Sequence, residues 1–142
     1  MKFLRKQSAT QAFEKELMEL LIGLYVRLER DTSQWSVLIG QDFVITTLSW
    51  RLIGAKSIIV TDEDDGHKFG LPEPVDAKVQ ANDALNGYVI SRLDIDRKTG
   101  DLSIQVGDGL IFQIVSSSSG YEIWQVYRKG EFFGVVGSGG LY

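Results

Sequence analysis

The chain has 142 residues and a mass of 15.9 kDa, with 44% apolar and 24% charged residues, the profile of one soluble globular domain. It has no cysteine and a single histidine, which excludes disulfides, thiolate metal sites, cysteine nucleophiles and any site needing two imidazoles. Fifteen basic against nineteen acidic residues give a formal charge of −4, which argues against a general nucleic-acid binder.

The basic start, Met1 to Lys6, is that of a targeting segment, but Glu14, Lys15, Glu16 and Glu19 break the apolar stretch that should follow. The longest uninterrupted run, Leu20 to Val26, is too short to span a bilayer. The expectation is a cytoplasmic protein with no membrane partner. Phe13, Leu17, Leu20, Leu21, Leu24 and Leu28 recur at spacings of three and four, which predicts a long helical segment over 1–31. Ser8 with Gln11 has the form of a capping box, and Thr10 is a second candidate cap.

From Trp35 the period falls to two. Val44, Thr46, Leu48, Trp50 and Leu52 alternate with Ile45, Thr47, Ser49 and Arg51, and Ile58-Ile59-Val60 is β-branched. Residues 35–61 therefore form a first β unit. Residues 62–83 hold seven acids against two lysines, both prolines and the histidine, and read as a long acidic loop. Residues 85–142 read as a second β unit of consecutive hairpins, with turns at Arg97–Asp101, Gly107-Asp108-Gly109 and Lys129-Gly130. Asp108-Gly109 suits a primed two-residue turn. Leu38-Ile39-Gly40 followed by Val44–Leu48 resembles Leu85-Asn86-Gly87 followed by Val89–Leu93, a weak repeat. The predicted fold class is α+β, with a long N-terminal helix packed on a largely antiparallel sheet or roll of two weakly repeated β units. Seven or eight strands are expected, with Phe13, Leu17, Leu21, Leu24 and Leu28 facing them.

Motifs for catalysis are sparse. Asp62-Glu63-Asp64-Asp65 and Asp94–Asp101 both lack the ligand spacing of a calcium loop, so no metal site is expected. His67 has no triad around it in sequence. Gly137-Ser138-Gly139-Gly140 is followed by only Leu141 and Tyr142, so it has no helix to form a phosphate loop. Tyr121, Trp124 and Tyr127 are dense enough to serve as core or interface aromatics. Arg128 and Lys129 are too few beside them for base stacking.

Residues 85–142 resemble a group of small bacterial domains of unknown function. The resemblance rests on Leu85-Asn86-Gly87, the strand Val89–Leu93, Asp108-Gly109, Tyr121-Glu122-Ile123-Trp124 and the closing glycines from Gly137. It implies a compact β-rich bacterial domain and carries no activity.

The leading functional expectation is a non-enzymatic protein-interaction module, with an immunity-type or antitoxin-like protein as one concrete form. Asp62, Glu63, Asp64, Asp65 and His67 are its candidate partner-binding residues, facing a basic protein. The alternative is a small-molecule-binding β-roll with its pocket between helix and sheet. No cofactor is expected, and homodimerisation is a further expectation from the long helix and the sheet edges.

Overall fold

The computed structural model describes residues 2–116, 122–137 and 140–141. Tyr121, Ser138 and Gly139 lie outside the described residues, and with them part of the aromatic cluster and of the closing glycine turn.

The chain is α+β, with its N-terminal helix packed on two antiparallel sheets. Helix α1 (Lys2–Leu21) leads into β1 (Val26–Arg30), β2 (Trp35–Ile39), β3 (Phe43–Thr47), β4 (Trp50–Ile53) and β5 (Ile58–Thr61). A single 3-10 turn, Asp62–Asp64, and the helix α2 (Ala77–Leu85) follow. Then come β6 (Ile90–Ile95), β7 (Leu102–Val106), β8 (Leu110–Ile114), β9 (Glu122–Arg128), β10 (Glu131–Gly137) and β11 (Gly140–Leu141). The expected seven or eight strands are thus eleven among the described residues.

Several boundaries differ from the expected ones for identifiable reasons. Helix α1 stops at Leu21 because Gly23 takes φ +85°, a left-handed C-terminal position, and Ile22 N–H donates back to Met18 at 3.1 Å. Residues 26–30 of the predicted helix are instead β1, in which Val26 and Leu28 are buried. Ser8 and Thr10 are interior to α1 rather than caps, and Thr10 is fully buried. The predicted strand 44–52 is two strands in different sheets, broken at Leu48-Ser49. The turn at Gly107–Gly109 has three residues, with positive φ at Gly107 rather than at Gly109. The last third of the predicted acidic loop is α2, whose buried face, Ala77, Ala81 and Leu85, is too small to stand out as an apolar stripe.

The first sheet has the order β1-β2-β3-β9-β10-β11 and the second β5-β4-β8-β7-β6, all pairs antiparallel. Read from β6, the second sheet repeats the first: a three-stranded meander followed by the crossing hairpin of the other half. Thus β1, β2, β3, β4 and β5 correspond to β6, β7, β8, β9 and β10. The registers agree, since Trp124 stands opposite Thr47 on β3 and Trp50 opposite Ile114 on β8. So do the connections: Gly40 N–H donates to Tyr25 at 2.9 Å, and Gly107 N–H to Val89 at 3.0 Å. Tyr25 and Val89 meet in an isolated bridge between the halves. The doubling therefore aligns Leu21-Ile22-Gly23 with Leu85-Asn86-Gly87. The sequence repeat had matched the latter with Leu38-Ile39-Gly40, where the chain leaves a strand instead of a helix.

Alternate residues of both sheets face one core, centred on Trp35, Trp50, Phe112 and Trp124. Phe13, Leu17 and Leu21 of α1 enter it at spacings of four, as do Ala77, Ala81 and Leu85 of α2. Leu28 is also buried but from β1, and Leu24 is half-buried in the turn before it. Trp124 Nε1 donates to Gly100 O at 2.9 Å, whereas the buried Trp50 Nε1 has no acceptor among the described residues and its ring lies edge-to-face with Trp35.

Each helix runs along edges of both sheets, α1 beside β6 and β11 and α2 beside β1 and β5. Exposed edges invite pairing with other chains, and side chains here occupy their hydrogen-bonding groups. On β1, the Asn82 amide accepts from Leu28 N–H at 2.8 Å and donates to Leu28 O at 3.0 Å, as a neighbouring strand would. On β6, Glu14 accepts from Ile95 N–H at 2.6 Å while Arg97 donates to Ile95 O at 2.6 Å. Arg97 and Glu14 are joined at 2.9 Å. Burial works against the charge of Glu14, but hydrogen bonds from Arg97 and Ile95 and the nearby guanidiniums outweigh it, holding the carboxyl below its usual range.

Candidate functional site

The acidic segment is an ordered loop rather than a free run of charge. Asp62 accepts from Trp50 N–H at 2.8 Å, Asp64 from Thr61 N–H at 3.0 Å and Asp65 from Ala77 N–H at 2.9 Å. Asp76 caps α2 by accepting from Val79 N–H at 3.1 Å. The backbone closes the neck, with Gly66 N–H donating to Val75 O and Val75 N–H to His67 O, both at 2.8 Å. Three of the four carboxylates proposed to meet a partner are therefore half-buried ties, and Glu63 is the exposed one.

What the neck holds out is apolar. Phe69 is 67% exposed and Leu71 57%, and the His67 ring stacks on Phe69 at 5.6 Å. Phe69 sits at φ +46°, a conformation that disfavours side chains larger than glycine. In sequence, Glu63 and Glu73 bracket this knob, and neither makes an ion pair among the described residues. Beside it lies a cleft of about 450 Å³ lined by Asp65, Glu73 and Asp76 together with Arg30 and Lys78. Lys78 is paired with Glu29 at 3.4 Å, and Arg30 stacks over Trp35 at 4.6 Å.

The aromatic set lies apart from this loop in the chain and is divided by burial. Trp124 is in the core, stacked near Phe13, whereas Tyr127 is half-buried on β9 and donates to Gln125 at 2.7 Å. Asp94 is paired with Arg92 at 3.1 Å. The Asp96 carboxyl caps the following turn, and N–H donors of Thr99 and Lys98 hold it below its usual range.

A second cleft, of about 480 Å³, opens between α2 and the β1–β2 hairpin. Tyr25, Arg27, Leu38, Asn82, Leu85 and Asn86 are among its walls. Sequence reading missed it because Tyr25 and Arg27 were assigned to the helix, where their shared outward face is hidden; on a strand, i and i+2 stand side by side.

Among the described residues there is no group of three side chains suited to a metal ion, and no helix long and apolar enough to cross a membrane. Comparisons with protein families, curated proteins and solved structures give no match for this chain.

Proposed function

We propose that the chain is a non-enzymatic protein-interaction module that docks a basic protein through loop 62–76. Phe69 carries this reading. A non-glycine residue in the left-handed region costs on the order of 1 kcal/mol or more, and such strain gathers at functional positions. Phe69 is two-thirds exposed and touches the ring of His67, so burial in the core does not offset its strain. An apolar knob on a tied neck, bracketed in sequence by the exposed Glu63 and Glu73, suits a partner surface with an apolar pocket rimmed by Lys or Arg. An immunity-type or antitoxin-like protein of the bacterial cytoplasm is a concrete form of this role.

The test compares wild type with Phe69→Gly and with Glu63→Gln/Glu73→Gln as baits in a lysate of the native host, followed by binding kinetics on whatever wild type retains. Phe69→Gly should fold at least as stably as wild type, because it relieves the backbone, yet lose the basic partner. The charge-neutral pair should slow association at low salt and converge with wild type at high salt. Equal capture of the same proteins by wild type and Phe69→Gly would refute the reading.

A further inference from the structure

The cleft beside α2 is separate from the loop and does not depend on its proposed role. Tyr25 and Arg27 lie on the outward face of β1, and Leu38 stands directly opposite Arg27 on β2. Leu85 and Asn86 face them from the end of α2, so the cleft has an apolar floor between an aromatic ring and a guanidinium. Its volume, about 480 Å³, lies within the range of small-ligand sites. The pair of hydrogen bonds between Asn82 and Leu28, one accepted and one donated by the amide, fixes α2 against β1, so the walls are set before any ligand arrives.

The polar groups are available. Among the described residues Arg27 makes one hydrogen bond, to Glu29 at 3.5 Å, which leaves most of its donor fork free. Tyr25 is 62% exposed. The other half of the molecule provides an internal comparison. At the positions related by the doubling, Tyr25, Asn82 and Asn86 are replaced by Val89, Met18 and Ile22, whereas Arg27, opposite Leu38, has its counterpart in Arg92, opposite Gln105. The shared fold therefore requires neither the Tyr25 ring nor the two amides, and Arg27, 3.5 Å from Glu29, is less engaged than Arg92, which Asp94 holds at 3.1 Å.

From these features we infer that the cleft binds a small aromatic carboxylate, its ring against Tyr25 over Leu38 and Leu85 and its carboxylate on the Arg27 fork. A planar anion matches the fork by accepting two parallel N–H bonds, while the ring takes the apolar floor.

The probes are 2-naphthoate and its uncharged counterpart 2-naphthamide, titrated into the full ¹⁵N-labelled chain. Naphthoate should give saturable shifts centred on residues 25–28, 38–40 and 82–88. It should bind about tenfold more tightly than the amide, and Arg27→Gln should remove that preference while keeping a folded spectrum. Arg27→Lys, which keeps charge but loses the fork, should fall between. Shifts scattered over the surface, equal affinity for the two probes, no saturation at millimolar concentration, or an Arg27→Gln chain that still prefers naphthoate would each overturn the inference. Phe69→Gly should bind naphthoate as wild type does, which separates this site from the docking loop.

Discussion

Gly134→Ala gives a quantitative test of how α1 seats on the sheets. Gly134 is buried on β10 where the pairing with β9 shifts register between Phe132 and Gly134. A Cβ there would stand 2.6 Å from Cζ and 2.7 Å from Cε2 of Phe13. Carbon atoms in contact prefer about 3.5–4.0 Å, so the overlap is close to 1 Å. The ring cannot simply step aside, because Trp124 and Phe133 lie against it with centroids at 6.2 and 5.9 Å. On an open strand, alanine in place of glycine would stabilise by roughly 0.5–1 kcal/mol. Here overpacking should make it destabilising by about 1–3 kcal/mol. Phe13→Leu removes the offending ring edge at its own cost in packing. In that background the penalty of Gly134→Ala should fall to about 0.5 kcal/mol or less, a coupling of about 1–2 kcal/mol. Urea unfolding followed by tryptophan fluorescence would measure all four corners of the cycle. A stabilising Gly134→Ala, or costs that simply add, would refute this seating of the helix.

The two edge-sealing contacts make further predictions. Asn82→Ala should cost about 1–3 kcal/mol by orphaning Leu28 N–H and O, and should raise the hydrogen-exchange rate of the Leu28 amide above that of its β2 neighbours. Unchanged exchange at Leu28 would mean that the amide does not seal the edge. Glu14→Gln should cost about 1.5 kcal/mol at neutral pH through loss of charged hydrogen bonds. Because the folded carboxyl titrates below its ordinary value of 4.5, its contribution is complete above that value and disappears as pH falls through the lowered one. Denaturation curves of wild type and Glu14→Gln should therefore converge below about pH 4.5, and a gap that widens in acid would contradict the sign.

Hairpin strands were the legible part of the fold, since the turns expected at Arg97–Asp101, Gly107–Gly109 and Lys129-Gly130 are the connections from β6 to β7, β7 to β8 and β9 to β10. Their period-two pattern and intervening glycines leave little choice of state. Residues 22–31 were not legible because Leu24 and Leu28 continue the helical spacing, while Val26 and Leu28 equally satisfy a strand. Gly23 decides between them, and its weight as a helix stop is visible only in its φ. The candidate site was half legible. Charge drew attention to residues 62–65, but charge does not show which carboxylates tie backbone and which stay free. Phe69 and Leu71, the residues held outward, carry no polar signal at all. The clefts needed the pairing of distant segments, which no local pattern encodes.

The doubling also separates what the fold demands from what it merely carries. Buried positions of the two halves match in kind: Leu21 with Leu85, Val37 with Ile104, Ile39 with Val106, Trp50 with Trp124. Each edge strand that opens a meander is sealed by the helix of the other half, although Asn82 does it on β1 and Glu14 with Arg97 on β6. Such solutions are interchangeable, so they speak to stability alone. Loop 62–76 has a different standing, because it joins β5 to α2 and holds Phe69 outward at φ +46°. Tyr25 and Asn86 have counterparts in the other half, Val89 and Ile22, that lack their chemistry. The outward Phe69, held in a strained conformation, and the Tyr25 ring with Asn86 are features that packing within the chain does not account for.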